Sequence, residues 1–531
     1  MRLTAALTQP LSFPLRVRSF LRKAGRLDRA EADLRDSIAT RETRFLALLA
    51  QTQAPGSRSP YAKLLRHAGT TLEDVRELVH QEGLEGALRR LADAGVYLAA
   101  SELKGKTDVT RGSLSFCLNP EDIRLSRDGF ASQSSGTSNQ PQRLTTSFEW
   151  LAQETPAVGT FILAHSLQTH RHAAFEPVLP GVAGMMYMLK LARLGIPCVR
   201  WFARAMPFSN RFEQAYFMII AHELSLMGTL FGPGFARPQT TPEHQIDRIV
   251  RWIADCRAKG EKSCVRTVAS NAARIARTGT AMGVSLEGVT FMASGEPMTE
   301  AKRSVIDASG ARTTVLYGFE PGGVWVGQGC PTPLYGDEMH VSLNTLAVIH
   351  SPRLVAYGDA AVHPLLFTTL HPSASRFLLN AENGDYAQLA ERDCGCVMQR
   401  AGLTLHIHAV RSYEKLTSEG LNFPIDDLIE IIERRLPAEF GGGPYDYQLV
   451  EEEGTGAQTM ITLRIHPQVG VVDEAGVMAR LIDELGRTDE KQRFMTEVWR
   501  QARSFNVQRV PPITSARGKT LAVRLAVGKE S

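Results

Sequence analysis

The chain has 531 residues, 60 Lys and Arg against 56 Asp and Glu, and is 43% hydrophobic and 22% charged. That length exceeds one ordinary core and predicts two or three domains of a globular protein. A net charge of +4 gives no reason to propose nucleic acid, which calls for a concentrated basic face, and seven scattered cysteines argue against a disulfide framework and for a reducing cytoplasm.

The first acidic residue is Asp28, behind Arg2, Arg16, Arg18, Arg22, Lys23 and Arg26. Such an arm is expected to be solvated, with contact to an acidic partner or a membrane surface as the alternative. Pro10 and Pro14 interrupt any signal-peptide core. Charged and apolar residues alternate at helical spacing over residues 30–49 and 72–91, the second with Thr71 as N-cap and Asp74 in its first turn. Gly83 and Gly86 weaken that helix and Gly95 stops it. Residues 1–100 are therefore read as a helical segment.

From residue 101 to 410 the pattern becomes α/β. Residues 289–293 and 313–317 are β-rich runs separated by a helix-like stretch, and 365–370 is another strand. Residues 215–231 are apolar but carry His222 and Glu223, which predicts a buried core helix rather than a membrane span. Met185, Met186, Tyr187, Met188, Trp201 and Phe202 are expected in the core, with an acyl or aryl pocket as the alternative. Residues 411–531 read as a smaller α/β unit, with a helix over 425–436 and strands over 447–450 and 460–465.

The run Ser134-Ser135-Gly136-Thr137-Ser138-Asn139-Gln140-Pro141 clusters hydroxyl donors around a glycine. Backbone amides can approach a polyphosphate closely where a residue has no Cβ, although hydroxyl-rich runs of this kind also make plain turns. Ser294-Gly295-Glu296-Pro297 follows a predicted strand, where α/β sheets bind ligands. Tyr317-Gly318-Phe319-Glu320, Asn383-Gly384-Asp385, Arg411-Ser412-Tyr413-Glu414 and Gly518-Lys519 complete a series in order along the chain. Together these segments resemble the motifs of the adenylate-forming (acyl-activating) superfamily, in its phenylacetate–CoA ligase-like and acyl-protein synthetase-like branch.

The resemblance covers about residues 100–531. It implies a large adenylate-forming domain (101–410) with a helical lead-in and a small mobile α+β lid (411–531). It implies that Ser134, Ser135, Gly136, Thr137 and Ser138 hold the phosphates of ATP, and that Ser294, Gly295 and Glu296 border adenine. Tyr317 and Gly318 would flank the base, and Asp385 would accept hydrogen bonds from the ribose. Glu320 would help hold Mg²⁺, Arg411 would contact ribose or phosphate, and Lys519 would neutralise charge in adenylation. This sequence departs from the family at Asn139 (usually glycine), at Glu320 (the carboxylate shifted by one residue), in the residues before Asp385, and at Tyr413 (usually aspartate).

Cys330, His340, Cys394 and Cys396 form a donor set suited to a closed tetrahedral zinc site, and that branch often carries such a quartet. The alternative is a small buried thiol plus two unpaired ones. The implied reaction is activation of a small-molecule carboxylic acid by ATP and transfer to coenzyme A. An amine or a carrier-protein thiol is the alternative acceptor. A non-catalytic nucleotide-binding homologue, and a subunit passing its acyl group to a partner protein, are the other readings.

Overall fold

The computed structural model describes the chain except residues 1–2, 24, 55, 127–129, 134–142, 179–180, 205–210, 299, 320–323, 358–359, 414, 419–420, 444–445, 454–458, 488–499, 501–503, 514–521 and 525–531. Helices α1 (Leu3–Arg22), α2 (Ala30–Ala39), α3 (Arg41–Thr52), α4 (Pro60–His67) and α5 (Leu72–Asp93) open it. The continuous helix expected over 30–49 breaks at Thr40. Helix α5 starts where its cap predicts: the Asp74 amide donates to Thr71 Oγ1 (3.2 Å) and the Thr71 amide to Asp74 Oδ2 (2.7 Å). Gly83, at φ 72°, breaks it in the middle.

The basic start is not a solvated arm. Phe13, Val17, Phe20 and Leu21 of α1 enter the main core. The arginines between them lie over rings, Arg16 over Phe148 at 5.7 Å and Arg18 over Phe231 at 5.0 Å. Long cationic side chains cover apolar surface with their stems and meet aromatic faces with their heads, so a basic stretch can be amphipathic.

The main core surrounds a 12-stranded sheet. Its strands are β1 (Arg171–Pro177), β2 (Cys198–Arg204), β3 (Pro238–Thr240), β4 (Ser263–Val268), β5 (Val289–Ser294), β6 (Arg312–Phe319), β7 (Val324–Gly329), β8 (Met339–Val341), β9 (Leu346–His350), β10 (Pro364–Thr369), β11 (Ala381–Glu391) and β12 (Leu405–Ser412). The spatial order is β9-β10-β11-β12-β8-β7-β6-β5-β4-β1-β2-β3. From β3 to β6 neighbours run parallel; from β6 to β9 they run antiparallel. The chain leaves β1 toward β2 and returns on its other side at β4, which creates a crevice at the carboxyl ends of β1 and β4 where open α/β sheets bind ligands.

Helices α6 (Phe148–Ala164), α7 (Ala183–Arg193), α8 (Arg211–Phe231), α9 (Asp247–Ala258), α10 (Ala269–Ala281) and α11 (Glu300–Ala308) supply the crossovers and coverings. Met185, Met186, Tyr187, Met188, Trp201 and Phe202 are all buried in the core. Helix α8 packs along α1 and sends Ile220, Ala221 and Leu224 into the main core, but it is buried on that face only, since Ile219, Leu226 and Leu230 are more than half exposed. No helix among the described residues is long and apolar enough to cross a membrane.

The last part of the chain has its own core, built from Leu428, Ile432, Tyr447, Leu463, Leu481 and their neighbours. Strands β13 (Tyr447–Glu453), β14 (Thr459–Ile465), β15 (Phe505–Gln508) and β16 (Val523–Arg524) make a four-stranded sheet in the order β15-β14-β13-β16, covered by α12 (Glu474–Leu485). The helix expected over 425–436 begins as Ile425–Glu430 and passes through a π turn at Ile431–Arg435.

Candidate functional site

Strand β5 ends at Ser294, and Gly295 turns the chain at φ 82°, a conformation that side chains with a Cβ resist. The Ser294 hydroxyl accepts from the Arg266 guanidinium at the end of β4. Arg266 also donates to Thr267 O (2.9 Å) and Met292 O (3.2 Å), and stands 3.4 Å from the Glu176 carboxylate at the end of β1. Burial pushes the Glu176 carboxyl up, and Arg266 pulls it back. This buried pair occupies the crevice where the sheet's winding reverses. Sequence reasoning missed it, although a charge amid the apolar run of each strand, Glu176 after Ala173-Ala174-Phe175 and Arg266 after Cys264-Val265, was its signal. The neighbouring Glu296 carboxylate is turned inward onto Lys302 of α11 at 3.1 Å, both side chains being buried, so it braces the turn.

Strand β6 carries Tyr317 and Gly318, and its register with β7 shifts between them. The Tyr317 hydroxyl donates to Asp385 Oδ2 on β11 at 2.7 Å. Asn383 Nδ2 donates to both the Tyr317 oxygen and Asp385 Oδ2, each at 2.8 Å, and the Asp385 amide donates to Asn383 Oδ1 at 3.0 Å. Desolvation and the neighbouring carboxylate push the Tyr317 phenol well above its ordinary value, so it stays a donor at neutral pH. Tyr317 and Asp385, remote in sequence, thus form one polar cluster with a carboxylate whose second oxygen makes no bond to another described side chain.

Arg411 lies opposite Tyr386 in the β11–β12 ladder. Its Nη1 donates to Val410 O at 2.8 Å and lies 3.7 Å from Asp337 Oδ2. One step on, the Tyr413 amide donates to Gly384 O (3.0 Å) and its hydroxyl to Glu382 Oε2 (2.8 Å). Glu382 is fully buried, pairs with Arg353, and accepts from the Ala100 amide at 3.2 Å. The helical lead-in docks at the same place, where Leu98 bridges to Ala381. Ser134, Ser135, Gly136, Thr137, Ser138, Glu320, Glu414 and Lys519 lie outside the described residues.

Cys330, His340, Cys394 and Cys396 converge, their donor atoms all within 4.8 Å of one another. His340 Nε2 is 3.6 Å from Cys394 Sγ and 3.3 Å from Cys396 Sγ. A tetrahedral zinc ion with ordinary bond lengths puts sulfur and nitrogen about 3.5 Å apart, so these edges fit the ion. His340 Nδ1 donates to Leu403 O at 2.7 Å; because a carbonyl only accepts, Nε2 keeps its lone pair toward the thiols. Their mutual contact pulls the Cys330 thiol far down and pushes the Cys396 thiol up, so Cys330 is the thiolate of the pair. Arg392 Nη2 lies 3.4 Å from Cys330 Sγ and offsets part of that negative charge. His406 is buried beside His340 and stands 2.7 Å from Glu338.

No family model matches the chain, and no curated protein does. Among solved structures, a 2-hydroxyisobutyryl-CoA ligase, crystallised with 2-HIB-AMP and CoA in the thioesterification state, matches with a TM-score of 0.55 at 13% identity over 95% of this chain and 91% of that one. An o-succinylbenzoate CoA synthetase from Bacillus subtilis gives 0.40 at 11% identity over 75% of this chain and 69% of that one. An amide bond synthetase from Marinactinospora thermotolerans gives 0.39 at 11% identity over 92% of each chain.

Proposed function

We propose that this chain, which has the fold of the adenylate-forming ligases, activates a carboxylic acid with ATP and passes the acyl group to coenzyme A. The observation that carries this reading is the Tyr317–Asn383–Asp385 cluster, which presents a carboxylate at the end of β6, the strand paired with β5 just before the turn Ser294–Glu296. Oδ2 of Asp385 is taken by Tyr317 and Asn383, and the lone pairs of its other oxygen can accept from the vicinal hydroxyls of a ribose.

In the first half-reaction a carboxylate oxygen of the acid attacks the α-phosphorus, the bond to the bridging oxygen breaks, and pyrophosphate leaves. Asp385 holds the ribose, Gly295 lets the backbone approach the base, and Glu296 keeps that turn rigid through Lys302. Residues 134–138 hold the β- and γ-phosphates, while Arg411 and Lys519 meet the charge that grows at the α-phosphate. Phosphoryl-type transfer depends mostly on such positioning and electrostatics. Glu320 would help hold Mg²⁺, which when bound would add further charge neutralisation. In the second half-reaction the thiol sulfur attacks the acyl carbon, AMP leaves, and the thiol proton passes to solvent. Residues 411–531 act as the lid that turns between the two steps. Cys330, His340, Cys394 and Cys396 would hold a structural zinc ion, which would tie the loop after β7 to the segment following β11. The alternative acceptors are an amine, which gives an amide, or a carrier-protein thiol, which gives a thioester.

The test is ATP–pyrophosphate exchange across a panel of aryl and acyl acids, comparing the parent with Lys519→Ala. Exchange that needs one acid and collapses in the variant is expected. ATP binding without exchange for any acid would replace this reading with the non-catalytic or complex-dependent one.

A further inference from the structure

Strand β12 is not a regular strand. Tyr386 faces Arg411 and Gln388 faces His408, so Ala409 and Val410 together oppose the single residue Ala387. That is a β-bulge, a device that interrupts the ladder and re-aims the side chains beyond it. Ala409 sits at φ 53°, one of three non-glycine residues at positive φ among the described residues. A residue with a Cβ holds that conformation only where its surroundings impose it.

What imposes it is the loop between β7 and β8. Asp337 Oδ2 accepts from the Ala409 amide at 3.1 Å, the N–H that the bulge removes from the ladder. The same oxygen lies 3.7 Å from Arg411 Nη1, with both side chains 17% exposed. Tyr335 stacks on His408 just before the bulge, at 4.0 Å and 13°. The loop is itself braced, because Glu338 accepts from the Leu334 amide and pairs with Arg392, and Arg303 donates to Gly336 O. It runs between Cys330 and His340, two members of the cysteine–histidine cluster. Nothing in the reaction scheme needs a carboxylate here, yet one carboxylate oxygen holds both the bulge and the guanidinium beyond it.

We propose that Asp337 is the positioning residue for Arg411: it fixes the bulge at Ala409 and aims the Arg411 guanidinium at the nucleotide. This rests on the adenylating reading of the site. Removing Asp337 leaves Arg411 charged but free to rotate, so its effect should fall on the nucleotide and vanish when Arg411 is already gone.

The experiment measures ATP and AMP binding by calorimetry, and KM for ATP and for the acid in pyrophosphate exchange. The proteins are the full-length parent, Asp337→Ala, Asp337→Asn, Arg411→Ala and the Asp337→Ala/Arg411→Ala double variant. Asp337→Ala should weaken ATP about tenfold, leave KM for the acid unchanged, and add nothing in the Arg411→Ala background. Asp337→Asn keeps an acceptor for the Ala409 amide and loses only the charge, so it should cost about threefold. It carries the test if the alanine variant does not fold. Additive losses in the double variant, equal losses for ATP and the acid, or unchanged ATP binding would overturn the proposal while leaving the ligase reading standing. A parent that binds no adenine nucleotide would remove both.

Discussion

Replacing Lys190 by methionine should destabilise the large domain strongly, and more at alkaline than at acidic pH. Lys190 Nζ of α7 pairs with Glu154 Oε2 of α6 at 2.7 Å, with side-chain exposures of 0% and 4%. Glu154 Oε1 also accepts from the Trp325 amide at 2.9 Å, and Lys190 Nζ lies 4.2 Å from the centre of the Trp325 ring. Methionine fills nearly the same volume, so the loss is the charge partner rather than a cavity. Breaking a buried pair from one side costs about 3–5 kcal/mol, because the remaining charge is left uncompensated. Burial already pushes the Glu154 carboxyl up, and Lys190 is the main influence drawing it down. Without Lys190 the folded-state value rises further above the unfolded one. Such a group contributes stability below the unfolded carboxylate value, about 4.3, and that contribution is lost as pH rises through the folded value. The deficit should therefore be smallest near pH 5 and grow toward pH 8. Urea unfolding followed by tryptophan fluorescence reads it, since Trp150, Trp201, Trp252 and Trp325 all lie in the main core. Glu154→Gln combined with Lys190→Met keeps an acceptor for the Trp325 amide and should recover most of the loss. A deficit below about 1 kcal/mol, or one that does not change with pH, would refute this account of the pair.

Two further outcomes follow from the site. The protein purified from zinc-supplemented growth should hold about one ion per chain, and cobalt substitution should give the visible absorption of a tetrahedral thiolate site. Cys396→Ser should lose both, along with several degrees of melting temperature; a parent without bound metal would remove the zinc assignment. Tyr317→Phe deletes the donor to Asp385 and the acceptor for Asn383, so AMP affinity should fall about three- to tenfold at unchanged KM for the acid, as expected for one net hydrogen bond. The raised phenol makes the parent's affinity flat from about pH 7 to 9, and a drop across that range would contradict the donor role.

Much of the fold was legible because local chemistry fixed it. Thr71 and Asp74 make the capping box their spacing calls for, and the β-rich runs at 289–293 and 313–317 became adjacent parallel strands. The cysteine–histidine cluster was legible for a different reason: few roles require three thiols and an imidazole together, so donor identity alone narrowed the choice. What escaped depends on register. Ala409 has no local signature of a positive φ, and Asp337 reads as one more loop aspartate until the fold brings them together. The pairing of Glu382 with Tyr413 is equally silent, because it is set by how β12 returns beside β11. Helix α1 was misread because basic residues were counted as charges, whereas their stems and ring contacts bind them to the core.

The same network bears on the departures from the family pattern. Glu382 stands where the resemblance expects arginine, and Tyr413 where it expects aspartate. Taken singly, each looks like the decay of a site in a chain that no longer needs it. In the structure the Tyr413 hydroxyl donates to the Glu382 carboxylate, so the two departures are partners of one another. Decay predicts the opposite: a fully buried carboxylate arising by drift would be left without partners, at a cost of several kcal/mol. Glu382 instead has Arg353, Tyr413 and the Ala100 amide around it, and the strand it sits on continues into Asn383 and Asp385. Tyr413 and Asp385 are thereby joined through four consecutive residues, Glu382 to Asp385, with Gly384 O accepting from the Tyr413 amide between them. On the proposed function, partnered positions at both Glu382 and Tyr413 are what a working link between nucleotide and hinge requires.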